Sequence, residues 1–157
     1  MLEIIGMILL TAAGAAVGDE AARSLSRCEK ELRDLLSLLD EVGILLSSCS
    51  LSTEEIFSRI GESEYVYSHS FRCEGDDITD KVSACLRTSG LAMCGELAGY
   101  IARFGETDLE GQLARNGLLR HEVSLAYDAA AEKRKKFSNI YRVGGFSAGL
   151  VAALLLI

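Results

Sequence analysis

Residues 19–47 read "DEAARSLSRCEKELRDLLSLLDEVGILLS". Leu25, Cys28, Leu32, Leu35, Leu39, Val42 and Leu46 recur at alternating steps of three and four residues, a coiled-coil-like seam that predicts one long amphipathic helix. Glu29, Lys30, Arg33, Asp34 and Asp40 fall on the other faces and keep them wet. The whole chain contains no proline, so nothing of that kind interrupts a long helix here or elsewhere.

Downstream, Ser52 with Glu55 three residues later forms a capping-box signature, which predicts a short helix through Ile60 that stops before Gly61. "SEYVYSHSF" (63–71) reads as a further short helix, with a content of β-branched and aromatic residues that would also suit a strand. "CEGDDITDK" is a turn into a helix over residues 79–87, and another helix covers about 90–104. A final helix starts near "ETDLEGQ" and runs through Leu119, Val123, Ala126, Ala130, Phe137 and Ile140 to the end. The expected class is all-α, a bundle of about six helices.

The two ends differ from this middle. Residues 1–18 and 143–157 carry one charged side chain between them, Glu3. Each apolar run is about fifteen to eighteen residues, or roughly 22–27 Å of helix, at the thin edge of a hydrocarbon core about 30 Å thick. The first run lacks the Lys or Arg that opens a signal peptide, although "AAGAA" resembles a cleavage site; it reads better as an uncleaved membrane helix. The expected organisation is a membrane helix over 1–18, a cytosolic bundle over 19–139 and a second membrane helix over 140–157. Arg23 and Arg27 follow the first run, and Lys133, Arg134, Lys135, Lys136 and Arg142 precede the second. The positive-inside rule therefore puts the middle in the cytosol and both termini outside. The basic residues suit anionic headgroups or a partner, against the alternative of a solvated helix face. Gly14 and Gly18, and Gly145 and Gly149, repeat the small-x-x-x-small spacing that lets membrane helices approach closely, at matched depth in an antiparallel hairpin.

Composition narrows the function. At 157 residues the chain suits one domain, and a net charge of −7 argues against a nucleic-acid binder. The five cysteines, Cys28, Cys49, Cys73, Cys85 and Cys94, form no C-x-x-C pair and no zinc-like spacing with His69 or His121. They read as reduced packing residues, with no metal or cofactor expected. No nucleophile elbow, phosphate loop, metalloprotease motif or dinucleotide fingerprint is present. His121 beside Glu122 is a lone histidine on a helix, so no catalytic residue and no enzymatic activity are expected. Asp108 and Gln112, one helical turn apart, read as helix-start electrostatics and a side-chain hydrogen bond.

Four stretches in register carry a resemblance. They are "MLEIIGMILLTAAGAAVGDEAARSLSR" (1–27), "LLDEVGILLSSCSLSTEEIFSRI" (38–60), "FGETDLEGQ" (104–112) and "YRVGGFSAGL" (141–150). The third resembles an L-G-x-S-D-x-x-x-Q motif through Gly105, Asp108 and Gln112. The fourth resembles a Tyr–Arg approach to a Gly-x-x-x-Gly helix. Together they resemble the stage III sporulation protein AB family over essentially the whole chain. The departures are Ser50, where the family has proline, a shorter loop, and Tyr100–Ile101 where it has Phe–Gly. The resemblance implies a bundle similar to the cytoplasmic domains of type II secretion F proteins. It also implies a place in a transenvelope channel complex in the mother-cell membrane around the forespore. Implied partners are membrane lipids and other stage III subunits, including the stage III sporulation protein AA ATPase, with a homo-oligomer as a further option. The expected role is a non-enzymatic platform or assembly subunit; the alternative is a small membrane-active, holin-like protein working through its hairpin.

Overall fold

The structure, a computed structural model, describes residues 2–48, 51–73, 75 and 77–155, with side chains for all of these except 2–5, 7 and those outside the set. Cys49 and Ser50 lie outside the described residues. Among them the chain forms five α-helices, α1 (Leu2–Ser48), α2 (Thr53–Glu62), α3 (Ile78–Thr88), α4 (Cys94–Ile101) and α5 (Leu109–Leu155). A 3-10 turn, Ser68–Phe71, precedes α3, and no strand occurs among the described residues. The chain divides into two compact units, Met1–Glu29 with Asp128–Ile157, and Lys30–Tyr127.

In the Lys30–Tyr127 unit, α1 buries Leu32, Leu35, Leu39, Val42 and Leu46 of the predicted seam, and also Leu38 and Leu45, whereas the seam's first two residues, Leu25 and Cys28, are only half-buried. The added positions widen the strip into the broad apolar face of a bundle helix rather than a narrow coiled-coil seam. Helix α2 starts on its capping box. The Ser52 hydroxyl accepts from the Glu55 amide at 3.3 Å, and the Ser52 amide donates to Glu55 Oε2 at 2.8 Å. Two backbone donors that would otherwise lack partners are satisfied at once. Ile56, Phe57 and Ile60 of α2 are buried, and the Phe57 ring meets Phe71 at 5.5 Å edge-on and Phe104 at 5.2 Å. Burying a ring of this size contributes about 1.5–3 kcal/mol.

Several boundaries differ from those read in the sequence. Helix α2 continues through Gly61 to Glu62. Gly61 serves packing here: a Cβ on it would sit 3.3 Å from Arg72 Cγ, and its carbonyl accepts the Arg72 Nε–H at 2.8 Å. Residues 63–71 hold only the short 3-10 turn instead of a helix. Tyr67 and Phe71 go to the core there, and the Tyr67 hydroxyl donates to the Ala92 carbonyl at 2.6 Å. The Ala92 amide in turn donates to Glu31 Oε2 at 3.0 Å, so the link after α3 is held from both sides. Helix α4 begins at Cys94 rather than near 90, because Gly90 (φ +68°) and Met93 (φ +53°) adopt the left-handed conformation, which does not propagate a right-handed helix.

Helix α5 joins this core through long-range polar contacts. Buried Asn116 donates Nδ2–H to the Leu39 carbonyl at 2.9 Å. Gly43 leaves room for it, since a Cβ there would lie 3.0 Å from that nitrogen. Arg120 pairs with Asp40, and Arg33 reaches the Tyr127 hydroxyl at 3.0 Å.

Candidate functional site

The Met1–Glu29 and Asp128–Ile157 unit is a two-helix hairpin whose seam is made of small residues. A Cβ on Gly14 would lie 2.6 Å from the Gly145 carbonyl oxygen and 2.7 Å from Gly149 Cα. A Cβ on Gly145 would lie 2.6 Å from the Gly14 carbonyl oxygen and 2.8 Å from Gly18 Cα, and one on Gly149 would lie 3.1 Å from Thr11 Cα. The four glycines therefore meet backbone to backbone, an approach that no larger side chain permits. Two residues that the sequence spacing did not single out extend the seam. Ala22, four residues past Gly18, is 1% exposed, and Ala153, four past Gly149, is 4% exposed. Each helix thus carries three small residues at four-residue intervals.

Charges continue the antiparallel register beyond the glycines. Arg142 reaches Asp19 at 3.2 Å, and Asp19 also pairs with Arg23 at 2.7 Å. Further along, Arg134 meets Glu29 at 2.6 Å. The Glu29 carboxylate is buried, so this pair closes the hairpin on a charge that would be costly to leave alone. Of the basic residues singled out in the sequence, Arg134 and Arg142 thus turn to α1. Lys133, Lys135 and Lys136 stay exposed, with the Lys136 ammonium 5.5 Å from the Phe137 ring centre.

The outer surface of the hairpin is apolar. Ile8, Leu9, Val17, Ile140, Val143, Phe146, Leu150, Val151 and Leu154 are all exposed, Val17 to 72%. One side forms a shallow groove lined by Thr11, Ala15, Phe146, Leu150 and Ala153. Contiguous apolar surface of this kind marks a membrane or protein contact. Among the described residues no helix is long and apolar enough to cross a membrane. The apolar runs of the sequence include residues 1, 156 and 157, which lie outside the described residues.

The Gly105, Asp108 and Gln112 motif builds the start of α5. Gly105 takes φ +86°, a turn that favours glycine. Asp108 Oδ1 accepts the Gly111 amide at 3.1 Å, and Gln112 donates Nε2–H to the Thr107 carbonyl at 3.0 Å. Gly111 belongs to the same device, because a Cβ on it would lie 2.8 Å from Asp108 Oδ1. Next to the turn, Phe104 packs on Phe57 and Gln112 lines a cavity of about 350 Å³ with Leu46, Ile56 and Leu109. Asp108 Oδ1 and Gln112 Nε2 thus tie down the first turn of a helix that must start at a fixed point on the core.

A family model described as stage III sporulation protein AB matches residues 3–157. The chain belongs to the stage III sporulation protein AB family. No curated protein and no solved structure matches it. Within this family member the match takes in both the capping motif and the glycine hairpin.

The titratable side chains form no metal cluster among the described residues. Cys28, Cys73, Cys85 and Cys94 are free thiols. Cys73 donates its Sγ–H to the Ser70 carbonyl at 3.5 Å; burial first, then the neighbouring Cys85, pushes the Cys73 thiol up, while Cys85 itself is exposed. His121 and Glu122 lie exposed on α5. Burial pushes the Tyr100 phenol above its ordinary range, and burial with the Glu41 carboxylate pushes Tyr65 up to about 12.

Proposed function

We propose that the chain is a non-enzymatic, membrane-anchored platform subunit of the sporulation complex that spans the envelope between mother cell and forespore. The glycine-seamed hairpin is the anchor, held in the mother-cell membrane around the forespore with both termini on the far side. The Lys30–Tyr127 unit faces the cytosol and receives other stage III subunits, above all the stage III sporulation protein AA ATPase. The observation that carries this reading is the hairpin's inverted pattern: small residues packed inward and large apolar side chains outward. In water that arrangement wastes apolar surface; in lipid it is the favoured way to pair two helices. Family membership supplies the sporulation context.

A holin-like role through the hairpin alone is the weaker reading. A unit with its own core of Phe57, Tyr67, Phe71 and Leu97 is more than a membrane lesion needs.

The test is reconstitution. The full chain in lipid nanodiscs is expected to retain the cognate ATPase in a pulldown. A folded, helical protein that fails to retain it across a range of salt concentrations would refute the docking claim. A reporter fused after Ile157 is expected to act outside the cytosol; activity in the cytosol would refute the hairpin topology.

A further inference from the structure

The basic residues of the hairpin unit fall into two chemically separate sets. Every arginine in it is paired with a carboxylate of α1: Arg23 with Asp19, Arg27 with Glu20 at 3.7 Å, Arg134 with Glu29, and Arg142 with Asp19. The planar guanidinium fork suits such pairing. Lys133, Lys135 and Lys136 are exposed and have no ion pair among the described residues. They lie on α5 immediately before Phe137 and Tyr141, which pack on each other with ring centres 6.2 Å apart and are partly exposed. Ile140 and Val143 continue that exposed apolar surface along the helix.

We infer that Lys133, Lys135 and Lys136, with Phe137 and Tyr141, form a binding surface for anionic phospholipid headgroups. The surface is a belt on one helix, α5: Lys133 and Lys136 share the side of Phe137 and Tyr141, and Lys135 lies across the helix from them. This rests on the membrane-hairpin reading and deepens it. Three arguments select a lipid surface. The three lysines have no ion pair among the described residues while each neighbouring arginine has a carboxylate partner, and with Glu132 the only acidic residue beside them the stretch 132–136 of α5 keeps a net positive charge. Aromatic side chains next to lysines are the pairing found where a helix leaves the hydrocarbon for the headgroup layer. The lysine stems can run along the exposed apolar side chains while their ammonium groups reach phosphate as point charges. Arg134 and Arg142 then belong to hairpin closure and Arg23 and Arg27 to pairs within α1, so of the seven basic residues two hold helix to helix, two pair along α1 and three hold helix to lipid.

The experiment uses the full chain in nanodiscs of mixed phosphatidylcholine and phosphatidylglycerol. The lipid retained after mild detergent extraction is quantified by mass spectrometry, with flotation on vesicles of the same composition run in parallel. The wild-type chain is expected to float and to enrich phosphatidylglycerol. The K133Q/K135Q/K136Q variant is expected to float equally and to lose roughly tenfold in enrichment. K133R/K135R/K136R restores it, and R23Q/R27Q leaves it unchanged. Enrichment that survives the glutamine triple, or that falls equally in R23Q/R27Q, overturns the inference while leaving the hairpin standing. Failure of the wild-type chain to float overturns the hairpin reading itself.

Discussion

Gly144 and Gly145 are neighbours in sequence and opposites in the hairpin, which makes them a sharp probe of the seam. A Cβ added to Gly144 meets nothing within 4 Å, whereas one added to Gly145 would lie 2.6 Å from the Gly14 carbonyl oxygen and 2.8 Å from Gly18 Cα. Ordinary contact between such atoms is about 3.5–4.0 Å, so Gly145→Ala must force the two backbones apart by about 1 Å. Overpacking of this kind costs about 1–3 kcal/mol, set against a gain of up to about 1 kcal/mol from replacing glycine inside a helix. The net expectation is a loss of up to about 2 kcal/mol for Gly145→Ala and a neutral or slightly positive effect for Gly144→Ala. Gly14→Ala presses on the same contact, so the double variant with Gly145→Ala costs less than the sum of the singles. The assay is thermal unfolding of the full chain in detergent micelles, followed by circular dichroism. A loss of that size amounts to roughly 4–8 °C for a chain of this length. Equal melting of the Gly144→Ala and Gly145→Ala variants would refute the packed glycine seam.

Other outcomes follow from the polar contacts. Asn116→Ala removes the partner of the Leu39 carbonyl and opens space beside Gly43; it should cost about 1–3 kcal/mol by chemical denaturation. Ser52→Ala deletes one arm of the capping box and should cost about 0.5–2 kcal/mol, with Asp108→Ala losing a similar amount at the start of α5. An alkaline absorbance titration should find fewer than all of the tyrosines ionising near pH 10. Tyr65 and Tyr100 should lag, and Tyr65→Phe and Tyr100→Phe should each remove a late step. Both phenols have raised pKa values in the folded state, so their contribution to stability is complete below about pH 10 and fades above it. Alkylation should label Cys85 faster than Cys73 at neutral pH, since the thiolate is the reacting form and Cys73 holds its proton more tightly; equal rates would contradict that contact.

Local rules account for what was legible in the sequence. The α1 seam, the Ser52 capping box and the start of α5 each depend on side chains within a few residues of one another, and each stands in the structure at or near its predicted position. The all-α class follows from them. The missed features come from two physical sources. Met93 is left-handed although its side chain gives no cue to φ > 0, so the start of α4 was hidden, whereas α3 lies within one residue of its predicted bounds. Long-range partnerships were the other source. Glu29 reads as a solvent-face charge by helical spacing, yet it is buried because Arg134 lies opposite it. Likewise Asn116 looks like an ordinary polar residue until the Leu39 carbonyl is placed beside it. The glycine spacings were visible, but Ala22 and Ala153 were not, because alanine is too common in helices to signal a seam without the partner helix in view.

The hairpin also has a consequence in time. Gly14 finds its contacts on Gly145 and Gly149, so the seam cannot close until those residues have been synthesised. At 5–20 residues per second, the roughly 130 intervening residues take on the order of 7–26 s to synthesise. Throughout that interval the first helix presents its glycine stripe with nothing across from it, and for most of it the Lys30–Tyr127 unit is still incomplete. The first half of the hairpin therefore spends its early life waiting for its mate, and an insertase or another small-faced helix that meets it in that window competes directly with α5.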